Sequence, residues 1–259
     1  MSAEPRPGPL TEDAVLGGAL RLRQPRRGHR VGHDAILLAA ACPVQPGEQV
    51  VDLGAGVGAA GLALAARARD IAVTLVEIDP ELAALAAANA TLNGLAARVR
   101  SVVLDAAAPA RAFAAAGLGP ETVARVLMNP PFNDPVRQQT SPDRRRRLAH
   151  AAPPEALHAW IRTAARLLRP RGTLTMIFRA DGLLELGRAL DSAFGAFAIL
   201  PVHPKPDEPA IRVLVRATKA SRAPLAVLPG LVLNDAGGHP TPQAEAVLRA
   251  GATLPLARI

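Results

Sequence analysis

Val50-Val51-Asp52-Leu53-Gly54-Ala55-Gly56-Val57-Gly58 is an apolar run that breaks into three glycines spaced two residues apart. The run suits a buried strand, and the alanine-rich stretch behind it, Ala59–Arg67, suits a helix. Three glycines in a strand-to-helix turn remove Cβ atoms, so a ligand can approach the backbone N–H groups at the helix start. A nucleotide-type cofactor at the carboxyl end of this strand is the expectation.

The same rhythm continues outward. Short apolar runs at Gln49–Leu53, Val73–Ile78, Val99–Leu104, Ala124–Met128 and Thr173–Phe178 alternate with helix-forming stretches at Ala59–Arg67, Pro80–Asn93, Ala106–Ala116 and Pro154–Leu168. That alternation predicts a parallel sheet with helices on both faces. Two further runs, Ala198–His203 and Ile211–Thr218, are separated only by a proline-rich linker containing Pro204, Pro206 and Pro209. The linker is too short for a helical crossover, so these two pair antiparallel. The expected fold class is α/β: a seven-stranded, mostly parallel sheet with an antiparallel last strand. The tail from Ser221 onward is expected to pack over the sheet edge, with a short helix near Gln243–Ala250.

Residues 1–47 form a separate segment in this reading, and residues 48–259 the main domain. The first segment carries Pro5, Pro7, Pro9, Pro25, Pro43 and Pro46, an arginine-rich hairpin-like piece from Leu20 to Arg30, and a helix from His33 to Cys42. It is expected to pack at the mouth of the cofactor site.

Of 259 residues, 49% are hydrophobic and 20% charged, an ordinary globular composition that excludes a disordered chain or a disulfide scaffold. Thirty basic residues against 22 acidic ones give a net charge of +8, and all but Lys205 and Lys219 of the basic ones are arginine. A basic balance supports a polyanionic partner. The single cysteine, Cys42, cannot form an internal disulfide, the first twenty residues lack a signal-peptide layout, and no apolar run reaches the ~18–20 residues of a membrane span. A soluble, cytoplasmic protein is expected. His29, His33 and His150 have no metal-ligand spacing to other donors, so no metal is expected.

The acids near the glycine turn choose between cofactors. Gly54-Ala55-Gly56-Val57-Gly58-Ala59 can be aligned with the dinucleotide pattern, but Asp52 would repel a pyrophosphate. It suits the cationic S-adenosylmethionine (SAM), which carries a sulfonium and an ammonium. The next strand ends in Glu77, 19 residues after Gly58, where a carboxylate can accept from both ribose hydroxyls. The third ends in Asp105-Ala106, suited to the adenine amino group. Three carboxylates at three successive strand ends point to SAM.

The fourth strand runs into Asn129-Pro130-Pro131-Phe132. Two prolines remove two backbone donors and leave carbonyls free to point outward. The Asn129 amide oxygen and the Pro130 carbonyl can then accept from one NH2 group. The lone pair of a planar exocyclic amine is conjugated, and two acceptors aimed at its hydrogens favour the localised form that attacks a sulfonium methyl. Phe132 offers a face for a target base. With five Phe, one Trp and no Tyr in the chain, an aromatic at this position is informative.

These residues resemble the class I SAM-dependent methyltransferases, over about Gln49 to Lys219. The resemblance implies a Rossmann-like sheet, cofactor contact by the Gly54, Gly56 and Gly58 loop, Glu77 at the ribose, and Asp105 with Ala106 at the adenine. The tetrapeptide resembles that of amino-methyltransferases acting on base amines and on glutamine amide. Leu22-Arg23-Gln24-Pro25, then Gly28, Arg30, Gly32 and Asp34 leading into Ala35-Ile36-Leu37-Leu38-Ala39, is similar to the start of the bacterial valine-tRNA (adenine-N6) methyltransferases, as is Leu200-Pro201-Val202-His203 near the end. That family has a Gly-Thr-Asp turn where this chain has Gly32-His33-Asp34. The resemblance implies methylation of an adenine amine in the tRNA anticodon loop, beside the anticodon, with Asp34 helping to hold the methionine end of SAM.

Two basic groups suit an RNA backbone. One is Arg144-Arg145-Arg146-Arg147, in the stretch after the tetrapeptide; the other is Arg21, Arg23, Arg26, Arg27 and Arg30. The first could also be a solvated helix start. The rival activities are a glutamine N5-methyltransferase of release factors, which usually has a longer helical N-terminal domain, and a guanine-N2 methyltransferase of ribosomal RNA, generally with a duplicated sheet. A non-catalytic SAM- or RNA-binding module is a further alternative, but it has no use for two carbonyls aimed at an amine.

Overall fold

The computed structural model describes residues 9–26, 31–130, 154–190 and 193–258. The chain runs β1 (Leu10–Val15), β2 (Leu20–Pro25), α1 (His33–Ala41), β3 (Gln49–Leu53), α2 (Ala59–Arg67), β4 (Ala72–Glu77), α3 (Pro80–Leu92), β5 (Val99–Val103), α4 (Ala110–Ala115) and β6 (Val123–Met128). It continues with α5 (Pro154–Leu167), β7 (Leu168–Arg179), α6 (Leu183–Leu190), β8 (Phe194–His203), β9 (Arg212–Lys219), β10 (Ala226–Val227), β11 (Leu231–Val232) and α7 (Pro242–Leu248).

The main sheet has the order β10-β8-β9-β7-β6-β3-β4-β5, with β11 also on β8. Strands β3 to β7 pair parallel, and β9 inserts antiparallel between β7 and β8. The seven expected strands are β3–β9. The tail adds the two-residue strands β10 and β11, both parallel to β8. From β3 the chain builds first towards β5 and later, in the opposite direction, through β6. The junction of β3 and β6 is therefore the switch point of the sheet, where crevices open at the carboxyl ends of strands.

Alternation along β3 divides the core. Val50 faces a cluster with Leu62, Leu75 and Leu38, under α1–α3; Val51 and Leu53 face another with Phe113, Ile161 and Met176, under α4–α6. Strands buried on both faces read as continuous apolar runs for this reason. Among the described residues no helix is long and apolar enough to cross a membrane.

Three local expectations change. Residues 106–116 do not form one helix: α4 starts only at Ala110, because Pro109 restricts the residue before it and Asp105 Oδ1 turns the chain by accepting from the Ala107 N–H at 2.8 Å. The arginine-rich piece beginning at Leu20 is the second strand of a hairpin whose first strand is β1. Strand β7 starts at Leu168 rather than at Thr173, with a register irregularity between Val123 and Arg125 on β6.

The N-terminal segment is not a detached flap. Leu20 and Leu22 are fully buried in the same core cluster as Leu62, Ala86 and Ala90. Burial of a leucine contributes roughly 1.5–3 kcal/mol, so these two side chains help to dock the hairpin against α2 and α3.

Candidate functional site

The order β6-β3-β4-β5 places Asn129, the glycine turn, Glu77 and Asp105 along one rim of the sheet, at the carboxyl ends of four adjacent strands. At about 4.8 Å per strand, that rim spans roughly 14 Å. Leu53 pairs with Met128 on one side and Val76 on the other, so the glycine turn stands between the tetrapeptide and Glu77.

The three glycines do different work. All have positive φ: Gly54 +72°, Gly56 +56° and Gly58 +89°. A Cβ on Gly54 would run into the indole edge of Trp160 from α5, with Cζ3 at 2.7 Å. One on Gly58 would meet Leu75 Cδ1 at 2.9 Å. Above Gly56 nothing lies within 4 Å. Of the three, only Gly56 has open space where a Cβ would stand; at Gly54 and Gly58 that space is taken by the protein's own side chains.

Glu77 is 7% exposed. Its Oε2 accepts from the Gly56 N–H at 2.7 Å and its Oε1 from the Asp79 N–H at 2.9 Å. A carboxylate oxygen has a second acceptor site, so each can still take a hydroxyl. Asp79 caps α3: its Oδ1 accepts from Glu81 and Leu82, ahead of Pro80 at the first helical position. Ile78 is 62% exposed between these two acids, and Val103 is also exposed at the end of β5. These apolar side chains were not legible as site residues, because a strand-ending isoleucine or valine carries no mark in sequence. Asp105 is exposed, whereas Ala106 is buried.

Asp52, expected beside the cofactor's cation, lies at the base of the turn. It is 2% exposed and lies under α2, with Oδ2 accepting from the Gly61 N–H at 2.8 Å. Burial pushes its carboxyl up to about 7, against the pull of the Gly61 N–H, and the nearby charge of Glu77 pushes the same way. Asp52 therefore supports the turn from beneath.

Asp34 also has a protein partner. Arg212 Nε of β9 donates to its Oδ2 at 3.0 Å. The pairing holds the start of α1 against the end of the sheet; Arg212 gave no signal in the sequence.

Asn129 is half-buried and Pro130 buried, where β6 leaves the sheet. Pro131, Phe132, Arg27, Arg30 and Arg144–Arg147 lie outside the described residues. Arg26 is exposed, at the end of the hairpin. Among the described residues no group of three or more His, Cys, Asp or Glu could hold a metal.

The rim fits SAM. It has open backbone at Gly56, a carboxylate with spare acceptor sites at Glu77, an exposed apolar side chain beside it for a purine, and an amide acceptor one strand away.

Residues 29–203 match the family described as the methyltransferase small domain, and the chain belongs to that family. A tRNA1(Val) (adenine(37)-N6)-methyltransferase of Tolumonas auensis is 32% identical over 159 residues, 61% of this chain and 62% of that protein. A release factor glutamine methyltransferase of Chlorobaculum tepidum is 30% identical over 164 residues, 61% of this chain and 54% of that one. The chain thus spans about three fifths or less of the length of these two relatives. A solved structure from Agrobacterium tumefaciens, described as a predicted O-methyltransferase, is 33% identical, with a TM-score of 0.72 over 85% of this chain and 98% of that one.

Proposed function

We propose that this chain transfers a methyl group from SAM to the exocyclic N6 amine of an adenine in tRNA, in the anticodon loop beside the anticodon. One observation carries the reading: the Asn129-Pro130 acceptors stand at the end of the strand next to the glycine turn, with Leu53 paired to Met128. A target amine held by Asn129 therefore lies beside whatever the turn binds.

SAM supplies, when bound, a sulfonium-activated methyl group. Gly56 and Glu77 would hold its ribose side, Ile78 a face of its adenine, and Asp105 with the Ala106 backbone the adenine edge. The protein's contribution to the reaction is orientation and hydrogen-bond acceptance. The Asn129 Oδ1 and the Pro130 carbonyl accept from the two hydrogens of the target amine, which localises its lone pair. Neither group is a base. That favours an amine over a hydroxyl target, which must lose a proton to attack, and so favours N- over O-methylation despite the description of the Agrobacterium structure. Phe132 would stack on the base, and Arg26, Arg27, Arg30 and Arg144–Arg147 would meet phosphates. The similarity to the Tolumonas protein supports tRNA as substrate.

A second reading, methylation of a release-factor glutamine, is favoured by the similarity to the Chlorobaculum protein, and the same two acceptors would serve an amide. The test is incubation of the protein and labelled SAM with bulk tRNA, ribosomal RNA and release factor. Label in tRNA, recovered as N6-methyladenosine after nuclease digestion, is the expected result. Label in release factor alone would replace this reading with the second.

A further inference from the structure

Asn89 lies on α3 and is 0% exposed. Its side chain makes three hydrogen bonds, to two separate pieces of backbone. Oδ1 accepts from the Arg23 N–H at 2.8 Å, while Nδ2 donates to Arg23 O and to Val57 O, each at 3.0 Å. Arg23 is in β2 of the N-terminal hairpin; Val57 sits between Gly56 and Gly58 in the glycine turn. One helical turn on, Asn93 holds Arg21 in the same way: Oδ1 accepts from its N–H at 2.8 Å and Nδ2 donates to its carbonyl at 2.7 Å. Residues i and i+4 share a helix face and residues i and i+2 share a strand edge, so the two asparagines serve β2 as a partner strand would. Only Asn89 also reaches the turn.

The turn is thereby held from two sides, Gly56 N–H by Glu77 and Val57 O by Asn89. We infer that Asn89 is a positioning residue that locks the SAM-binding turn to the basic N-terminal hairpin, so that occupancy of the turn is felt at β2. The inference rests on Gly54–Gly58 being the cofactor turn. Its physical basis is that a buried carbonyl stripped of its partner must move or stay unpaired. Val57 cannot move without carrying Gly56, whose N–H meets Glu77.

The test compares Asn89→Ala with Asn93→Ala, using S-adenosylhomocysteine as the calorimetric probe. Both variants remove one amide pair from the hairpin, but only the first frees Val57. Asn89→Ala should weaken binding about tenfold, in line with the usual penalty for an orphaned buried carbonyl. Asn93→Ala should stay within about twofold of the unaltered protein, since its Nδ2 reaches only the Asn89 backbone carbonyl and the hairpin, and leaves the Asn89 side chain on Val57. In turnover, Asn89→Ala should raise KM for SAM with kcat little changed. Equal weakening by both variants would overturn the inference, because docking of the hairpin as a whole would then set the turn. Unchanged binding by Asn89→Ala would overturn it too. If the unaltered protein fails to bind the probe, the cofactor reading falls and the inference with it.

A measurement on the unaltered protein guards against a variant that does not fold. Addition of S-adenosylhomocysteine should slow amide exchange at Arg23 N–H, bound to Asn89, more than at Arg21 N–H, bound to Asn93. Slowing at Gly56 with none at Arg23 would show that the turn and the hairpin are independent.

Discussion

The Gly56 N–H donates to Glu77 Oε2 at 2.7 Å, so the carboxylate proposed for the cofactor's ribose also fixes the middle glycine of the turn. With Asp79 N–H on the other oxygen, Glu77 must accept on both sides at once.

Glu77→Gln should therefore be nearly as damaging as Glu77→Ala. Gln keeps the shape but turns an NH2 group towards one of two N–H donors. Each variant should weaken SAM binding by roughly 1–3 kcal/mol, the usual penalty for unpaired buried polar groups. Calorimetric titration with SAM is the check; unchanged affinity in Glu77→Ala would remove the ribose assignment.

Asp52 should leave a signature in the pH dependence of stability. In the unfolded chain its carboxyl ionises near 3.9; in the folded protein burial holds it protonated up to about 7. Between those values the folded state binds the extra proton, so this contribution to stability declines as pH rises from about 4 to about 7 and is flat above. Asp52→Asn keeps an acceptor for Gly61 without the ionisation. Its Tm advantage over the unaltered protein should grow across that window and then level off. A gap that stays constant from pH 4.5 to 8 would mean that the carboxyl is ionised throughout.

Gly54→Ala should destabilise more than Gly56→Ala. Both positions have positive φ, which costs an alanine about 1–2 kcal/mol, but only at Gly54 does the new methyl meet the Trp160 indole. Overpacking of that kind adds roughly 1–3 kcal/mol. Trp160→Leu should recover part of the Gly54→Ala loss and none of the Gly56→Ala loss in urea denaturation. Gly56→Ala should instead lose SAM affinity, since its side is the open one.

Asn129→Ala should bind SAM and tRNA while single-turnover methylation drops about 100- to 1000-fold, as for loss of an oriented hydrogen-bond partner in a transition state. Asn129→Asp keeps an acceptor and should retain more activity than Ala. Near-normal turnover by Asn129→Ala would reduce the tetrapeptide to a turn.

Replacement of Arg144 through Arg147 by alanine should weaken tRNA binding and flatten its salt dependence, because fewer counterions are released. SAM affinity should be unaffected. An unaltered salt slope in a filter-binding series would return the run to a solvated surface.

The sequence by itself determined the sheet and the rim. Both follow from local patterns: apolar runs of strand length, alanine-rich stretches of helix length, glycines where the chain turns, and acids at strand ends. The antiparallel pairing of β8 with β9 was legible because the proline linker between them is too short for a crossover; the insertion of β9 between β7 and β8 was not. Pro109 could have corrected the start of α4, since a proline restricts the residue before it. Tertiary structure alone decided which of three equally spaced glycines has open space at its Cβ position, for that depends on Leu75 and on Trp160, more than a hundred residues away in the chain. It also turned Asp52 under α2, paired Asp34 with Arg212 across 178 residues, and set Asn89 between hairpin and turn. Periodicity specifies which face of an element is buried; it does not specify which distant side chain meets that face, and at this rim those meetings assign the roles.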